Sequence, residues 1–116
     1  MDISVETRTS NDFTIVDVTG EVDVFTAPKL REAILGLLTD GKTRIVVNLG
    51  GVGFMDSTGL GVLVGALKRV KEREGELAVA GAQGTVLRVL TVTGLNAVFP
   101  MFDTVDAALG SETALD

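Results

Sequence analysis

Hydrophobic residues recur along this chain with two periods, a short one typical of strands and a longer one typical of helices. Ile3, Val5 and Thr7 alternate with polar residues, which predicts a half-buried strand at a sheet edge. A polar turn at 10–12 leads into the more apolar stretch 13–19. We therefore predict a second strand there that forms a hairpin with the first.

The longer period marks two helices in the middle of the chain. The first should be capped by Thr26, tolerate Pro28 in its first turn and end at Asp40-Gly41. The second should run from Ser57 to about Glu74. Their apolar faces are Leu30, Ala33, Ile34, Leu37 and Leu38 in the first, and Leu60, Leu63, Leu67 and Val70 in the second.

Short apolar strands and helices alternate in the remaining sequence. The predicted strands are 44–49 and 77–80, the predicted helices are 85–93 (stopped by Gly94) and 104–109 (capped by Thr104 and ended by Gly110), and 99–102 is a short extended piece. Strands joined by crossover helices favour a parallel sheet. We predict an α/β domain over 1–110, with a small, mostly parallel sheet of four to five strands and about four helices packed on it. The tail 111–116 should be frayed.

Absent residue types narrow the range of possible functions. The 116 residues contain no histidine, cysteine, tyrosine or tryptophan. The chain therefore cannot form a Ser-His-Asp site, a Cys-His site, a His/Cys zinc site or a disulfide. We expect a protein that is not an enzyme, with no catalytic residues, no cofactor and no metal.

Charge and hydropathy restrict the partners. The net charge is −6, whereas nucleic-acid binding needs a basic surface, and the basic run 68–71 is followed directly by alternating acidic residues. No apolar run reaches the length of a membrane span, and Met1-Asp2-Ile3-Ser4 lacks the basic start of a signal peptide. We expect a cytoplasmic protein that binds neither nucleic acid nor membrane.

The candidate functional site is the stretch 54–61, which reads Phe-Met-Asp-Ser-Thr-Gly-Leu-Gly. It joins a buried strand to a helix, so Ser57 should lie at a helix N-terminus, where unpaired N–H groups favour an anion. A phosphate on Ser57 would meet those donors. The alternative is an ordinary helix start, with Asp56 or Ser57 as N-cap and Thr58 in the first turn.

This stretch resembles the signature of the anti-sigma-factor antagonists, the bacterial branch of the STAS domains. The resemblance extends over nearly the whole chain, in order and spacing, through Gly20-Glu21-Val22-Asp23, Thr26-Ala27-Pro28, Asn48-Leu49, and Thr93-Gly94-Leu95 before Phe99. The sequence departs from the family pattern at 50–53, a glycine-rich segment that we expect to form a loop.

The resemblance implies a STAS fold and a phosphorylation switch. It assigns the phosphoserine to Ser57, with Thr58 as the weaker alternative, and it places Asp23 near the phosphoserine. The implied partner-binding residues are Asp23, Asp56, Ser57, Thr58, Gly59, Leu60 and Gly61. The implied partner is an anti-sigma factor that is also a serine kinase using ATP and magnesium, and a protein phosphatase would reset the switch. The free protein should be a monomer.

Several alternatives stay open at this point. A STAS docking or scaffold subunit of a transporter or a stress-signalling complex would keep the fold without kinase regulation. Asp23 would then be a turn or cap residue. Glycines at 59, 61 and 65 cost helix propensity. We expect close packing at Gly65, whereas Gly59 and Gly61 would serve either packing or the close approach of a partner backbone.

Overall fold

The computed structural model describes residues 2–114, with side chains described as far as residue 110. Its five strands are β1 (Ile3–Ser10), β2 (Phe13–Val22), β3 (Arg44–Met55), β4 (Glu76–Ala80) and β5 (Met101–Phe102). Its four helices are α1 (Ala27–Thr39), α2 (Ser57–Glu72), α3 (Gly84–Val92) and α4 (Val105–Ala114), with a 3₁₀ turn at Leu95–Ala97. These elements follow the predicted order.

The strands form one mixed sheet in the order β1-β2-β3-β4-β5. β1 is an edge strand and pairs antiparallel with β2 in the predicted hairpin. The three remaining pairs are parallel. The prediction of a small, mostly parallel sheet with about four helices is therefore confirmed.

β2 and β3 run longer than the sequence pattern predicts. The segment 50–53 is part of β3, so the prediction of a glycine-rich loop there is wrong. The reason is a shifted register, in which Thr19 pairs with Gly51 after a bulge in the β2–β3 ladder. A Cβ on Gly51 would lie 2.5 Å from the Thr19 Cγ2 atom, so glycine is what permits this close pairing.

The two faces of the sheet are covered unequally. The larger core lies between one face and helices α1, α2 and α3, and it includes Leu30, Leu63 and Leu90. On the other face, Ala108 of α4 covers a smaller cluster around Ile15. Because three crossover helices lie on one face, their N-termini gather at the carboxyl ends of the parallel strands, which is the usual ligand edge of such sheets.

Two of the predicted helix ends, at Gly94 and Thr104, are confirmed, and others differ from the prediction. Gly94 adopts the left-handed conformation with φ of 78° just after α3, as predicted for a stop signal. The Ala107 N–H donates to the Thr104 hydroxyl at 3.0 Å, so the predicted cap of α4 is confirmed. α2 ends at Glu72, two residues before the predicted Glu74.

The prediction that Gly110 ends the last helix is wrong, because α4 continues to Ala114. The final two residues of the predicted frayed tail, 115–116, lie outside the described residues. The domain boundary at residue 110 stays a prediction. Within residues 2–114, no helix combines the length and the apolar character that crossing a bilayer would require.

Candidate functional site

Two loops leave the sheet side by side, one after β2 and one after β3. Val22 lies opposite Met55 at the ends of these strands, and the Asp56 N–H donates to the Val22 carbonyl at 3.1 Å. Asp23 and Asp56 therefore follow directly from a paired position. The structure brings together the backbones of the two loops at this edge, as the sequence predicts.

Asp56 directly precedes α2, and its hydrogen bonds show which residue is the N-cap. Its backbone is extended, and its Oδ1 atom accepts hydrogen bonds from the Thr58 N–H at 2.9 Å and the Gly59 N–H at 3.3 Å. Asp56 is the cap, and Ser57 is the first residue inside the helix. The carboxylate thus fixes the turn that presents Ser57.

The Ser57 side chain is exposed at this helix start. Within the part of the chain that the structure describes, its hydroxyl makes no hydrogen bond. Thr58 is also exposed, and it faces a groove between α1 and α2. Both hydroxyls are accessible to another protein, and Ser57 is the one at the tip of the turn.

One premise of the sequence prediction is wrong. The N–H groups of Thr58 and Gly59 already donate to Asp56, so they are not open donors awaiting a phosphate. A phosphate on Ser57 would instead stand beside the Asp56 carboxylate, with the helix dipole offsetting only part of its charge.

Asp23 is held by its own loop. Its Oδ1 atom accepts hydrogen bonds from the Phe25 N–H at 2.9 Å and the Thr26 N–H at 3.0 Å. The bonds from Thr26 and Phe25 stabilise the carboxylate and lower the pKa of Asp23 below its usual value. This geometry matches the turn role of Asp23, and a role in partner binding stays a prediction.

Thr26 occupies the N-cap position of α1 without acting as a cap, so that prediction is wrong. Its backbone angles are helical, whereas an N-cap residue is normally extended, and its side chain makes no hydrogen bond to the first turn. The buried hydroxyl accepts from the Asp23 N–H at 2.9 Å and donates to the Glu21 carbonyl at 2.7 Å. Thr26 therefore closes the β2–α1 loop onto the end of β2, while Pro28 lies in the first turn as predicted.

The three predicted partner-binding residues 59–61 divide into two kinds. Gly59 is buried, and a Cβ there would come within 2.7 Å of side-chain atoms of Met55 and Val22, so this glycine serves close packing. Leu60 is also buried and belongs to the core. Gly61 is exposed, and a Cβ there would meet no atom within 4 Å, so packing does not require this glycine.

Sequence reasoning missed an apolar tip on the neighbouring loop. Val24 and Phe25 lie between Asp23 and Thr26, and the Phe25 side chain is 86% exposed. Isolated exposed apolar residues are common, but aromatic residues are enriched in protein interfaces relative to the rest of the surface. The sequence signal that could have identified this tip is an aromatic residue between Asp23 and Thr26, two residue types that commonly form turns and helix caps.

The site presents an exposed hydroxyl at the start of a helix. Among residues 2–110, whose side chains the structure describes, no cluster of acidic side chains could hold a metal ion. The nearby carboxylates serve as hydrogen-bond acceptors for loop amides. The arrangement can therefore offer a hydroxyl to a second protein that supplies the catalytic groups.

The comparisons with known proteins cover most of the chain. The sequence model described as "STAS domain" matches residues 4–108. A relative named anti-sigma-B factor antagonist, from Staphylococcus aureus, is 42% identical over 95 residues, which are 82% of this chain and 88% of the relative. The matched region contains both loops of the candidate site.

Solved structures have the same architecture. An anti-sigma factor antagonist from Mycobacterium paratuberculosis superposes with a TM-score of 0.87 at 32% identity, covering 95% of this chain and 93% of that one. The anti-sigma factor antagonist SpoIIAA in its unphosphorylated form superposes with a TM-score of 0.72 at 19% identity, covering 97% of this chain and 98% of that one. The Bacillus SpoIIAA in its phosphorylated form superposes with a TM-score of 0.74 at 22% identity, covering 93% of this chain and 98% of that one. Because their sequence identities are so low, the two SpoIIAA structures show only that the fold is shared. Together, the three structures confirm the predicted fold class.

Proposed function

Since the chain belongs to the STAS domain family, we propose that it is an anti-sigma-factor antagonist whose binding is controlled by phosphorylation of Ser57. Unmodified, it binds an anti-sigma factor that is also a serine kinase and thereby releases the sigma factor. Phosphorylation of Ser57 by that kinase, with ATP and magnesium, ends the binding. A protein phosphatase restores the unmodified form.

The observation that carries this proposal is the position of the Ser57 hydroxyl. It is exposed at the first residue of α2, on a turn fixed by the two hydrogen bonds to Asp56. A kinase needs its acceptor hydroxyl within reach of an incoming phosphate, and a side chain in the core would be unusable. Thr58 is the weaker candidate because it lies one position further into the helix.

The switch works by charge at an interface. A phosphate adds about −1.5 to −2 charges near neutral pH. Inside the domain, the helix dipole offsets this by about 0.3–1 kcal/mol, while like charges facing each other across an interface cost several kcal/mol. A loss of about 3 kcal/mol already lowers affinity by about two orders of magnitude. The domain therefore stays folded while the complex dissociates.

The opposing charge comes from the kinase itself. A kinase uses an acidic group to accept the serine proton, and that carboxylate faces the new phosphate after transfer. Asp56 adds a second carboxylate beside Ser57. The protein acts by binding rather than catalysis, as a cytoplasmic monomer when free.

The test is phosphate transfer followed by a binding measurement. The purified chain is incubated with ATP, magnesium and a serine-kinase anti-sigma factor from its own organism, and intact mass is recorded. We expect one added phosphate on the wild type and none on Ser57→Ala. We also expect the unmodified chain, but not the phosphoform, to capture the kinase. A chain that binds the kinase yet never gains a phosphate would instead support a docking or scaffold role without kinase regulation.

A further inference from the structure

A groove lies between α1 and α2 on the face of the domain adjoining Ser57. Its volume is about 280 Å³, and its apolar walls include Ile34 and Leu35 of α1 and Val62 of α2. Thr58 lines one end, directly after Ser57, and Arg69 lies at the other. The distance along α2 from residue 58 to residue 69 is about 16 Å at 1.5 Å per residue, which equals three helical turns.

Two glycines form the floor of this groove. Gly61 and Gly65 lie one turn apart on α2, and a Cβ on either would meet no atom within 4 Å. The prediction that Gly65 serves close packing within the domain is therefore wrong. Alanine would fit both positions and would favour the helix, so the domain's own packing does not explain the glycines. What they leave is open space against the backbone of α2, into which another chain can approach closely.

The lining of the groove includes two basic residues in a protein of net charge −6. Arg31 of α1 and Arg69 of α2 both line it. Among the described residues, neither guanidinium forms an ion pair or a hydrogen bond, although Arg8 and Arg44 elsewhere in the domain both pair with carboxylates. Two arginines without partners along an apolar groove are complementary to a segment that carries acidic side chains beside an apolar edge.

We propose that this groove binds an acidic amphipathic helix of the anti-sigma-factor kinase. The inference rests on the proposed function and names the element of the partner that docks beside Ser57. Helices commonly bind in grooves of this kind through an apolar edge, and three turns match the length from Thr58 to Arg69. Carboxylates on the flanks of that helix pair with Arg31 and Arg69.

The position of the groove connects it to the switch. Because Thr58 lines its end, a phosphate on Ser57 introduces negative charge where an acidic helix enters. The same acidic character that pairs with the arginines then opposes the phosphoform. Binding and release thus depend on one charge pattern in the partner.

The test measures the affinity of the kinase for unmodified variants of the whole chain by calorimetry. Gly61→Ala with Gly65→Ala fills the groove, and we expect at least a tenfold loss of affinity with thermal stability equal to or above that of the wild type. Gly36→Ala is the matched control, because Gly36 is an exposed glycine of α1 outside the groove, and a Cβ there would also meet no atom within 4 Å. It should gain helix stability without losing affinity.

A second pair of variants tests the charges. Arg31→Gln with Arg69→Gln should weaken binding about tenfold and reduce its dependence on salt, since screened ion pairs are removed. Wild-type affinity in the filled-groove variant, with Ser57→Asp still impaired, would overturn the groove inference and leave the proposed function intact. Failure of the wild-type chain to bind the kinase at all would overturn both.

Discussion

The loops after β2 and β3 are built from similar residues and are used in opposite ways. Each contains an aspartate and a hydroxyl residue at a helix start, and their strands are paired neighbours. In the first loop, the Asp23 carboxylate and the Thr26 hydroxyl are bonded to the loop itself. In the second, Asp56 bonds the helix amides and the Ser57 hydroxyl is left exposed.

The difference shows that similar residues at a helix start can either be bonded within their own loop or be left exposed. A buried hydroxyl whose donor and acceptor are both bonded contributes to stability and is inaccessible to an enzyme. An exposed hydroxyl contributes little to stability and is free to react. The first loop is therefore the framework, with an apolar tip, and the second carries the proposed switch.

The largest expected effect follows from adding charge to the second loop. Ser57→Asp should bind the kinase about 100-fold more weakly than the wild type, corresponding to about 3 kcal/mol, because a carboxylate there faces like charges of the partner. Ser57→Ala should bind as the wild type does. Titration calorimetry measures both variants, and equal affinities for the two would refute the charge mechanism.

Removing a hydroxyl from each loop should separate their structural roles. Thr26→Val keeps the shape but leaves the Asp23 N–H and the Glu21 carbonyl without their partner, so the free energy of unfolding should fall by about 2 kcal/mol. Ser57→Ala should change it by less than about 0.5 kcal/mol. Urea denaturation followed by circular dichroism compares the two, and similar losses would contradict the division into framework and switch.

The apolar tip of the first loop should contribute to binding without contributing to folding. Phe25→Ala should weaken the complex with the kinase about tenfold, since exposed aromatic residues often anchor interfaces. Val92→Ala is the control, because Val92 is also strongly exposed, at 79%, but lies at the far end of α3. Thermal midpoints should stay unchanged in both variants. An equal loss of affinity in the two would exclude Phe25 as an anchor.

The smallest expected effect is a pH dependence specific to the first loop. The pKa of Asp23 is lowered by the hydrogen bonds from Thr26 and Phe25, so the charged carboxylate stabilises the fold. That contribution is complete above the unfolded-state pKa of about 4 and is lost as the pH falls through the folded-state value. The stability difference between the wild type and Asp23→Asn should therefore narrow between pH 7 and pH 3 in denaturation curves. A difference that is constant with pH would contradict this account.

Much of the fold was predictable because periodicity reports burial directly. The alternation from Ile3 and the apolar run at Ile45 gave the strands, and the spacing from Leu60 to Val70 gave the buried stripe of α2. Turn chemistry at Gly94 and Thr104 was also local, so it could be interpreted without the tertiary structure. The same holds for the position of Ser57 at a helix start.

What the sequence alone determined is which residues lie inside, which lie at helix starts, and that Ser57 follows a strand. Only the tertiary structure decided which hydrogen-bond partner each polar group has and which glycines are closely packed. Thr26 has the sequence position of a cap but bonds the end of β2, and Gly51 lies in a strand because Thr19 approaches it. Likewise, Gly59 packs while Gly61 and Gly65 line an open groove. Hydrogen bonding and close packing depend on the atoms that the fold brings near, whereas periodicity depends on the chain itself.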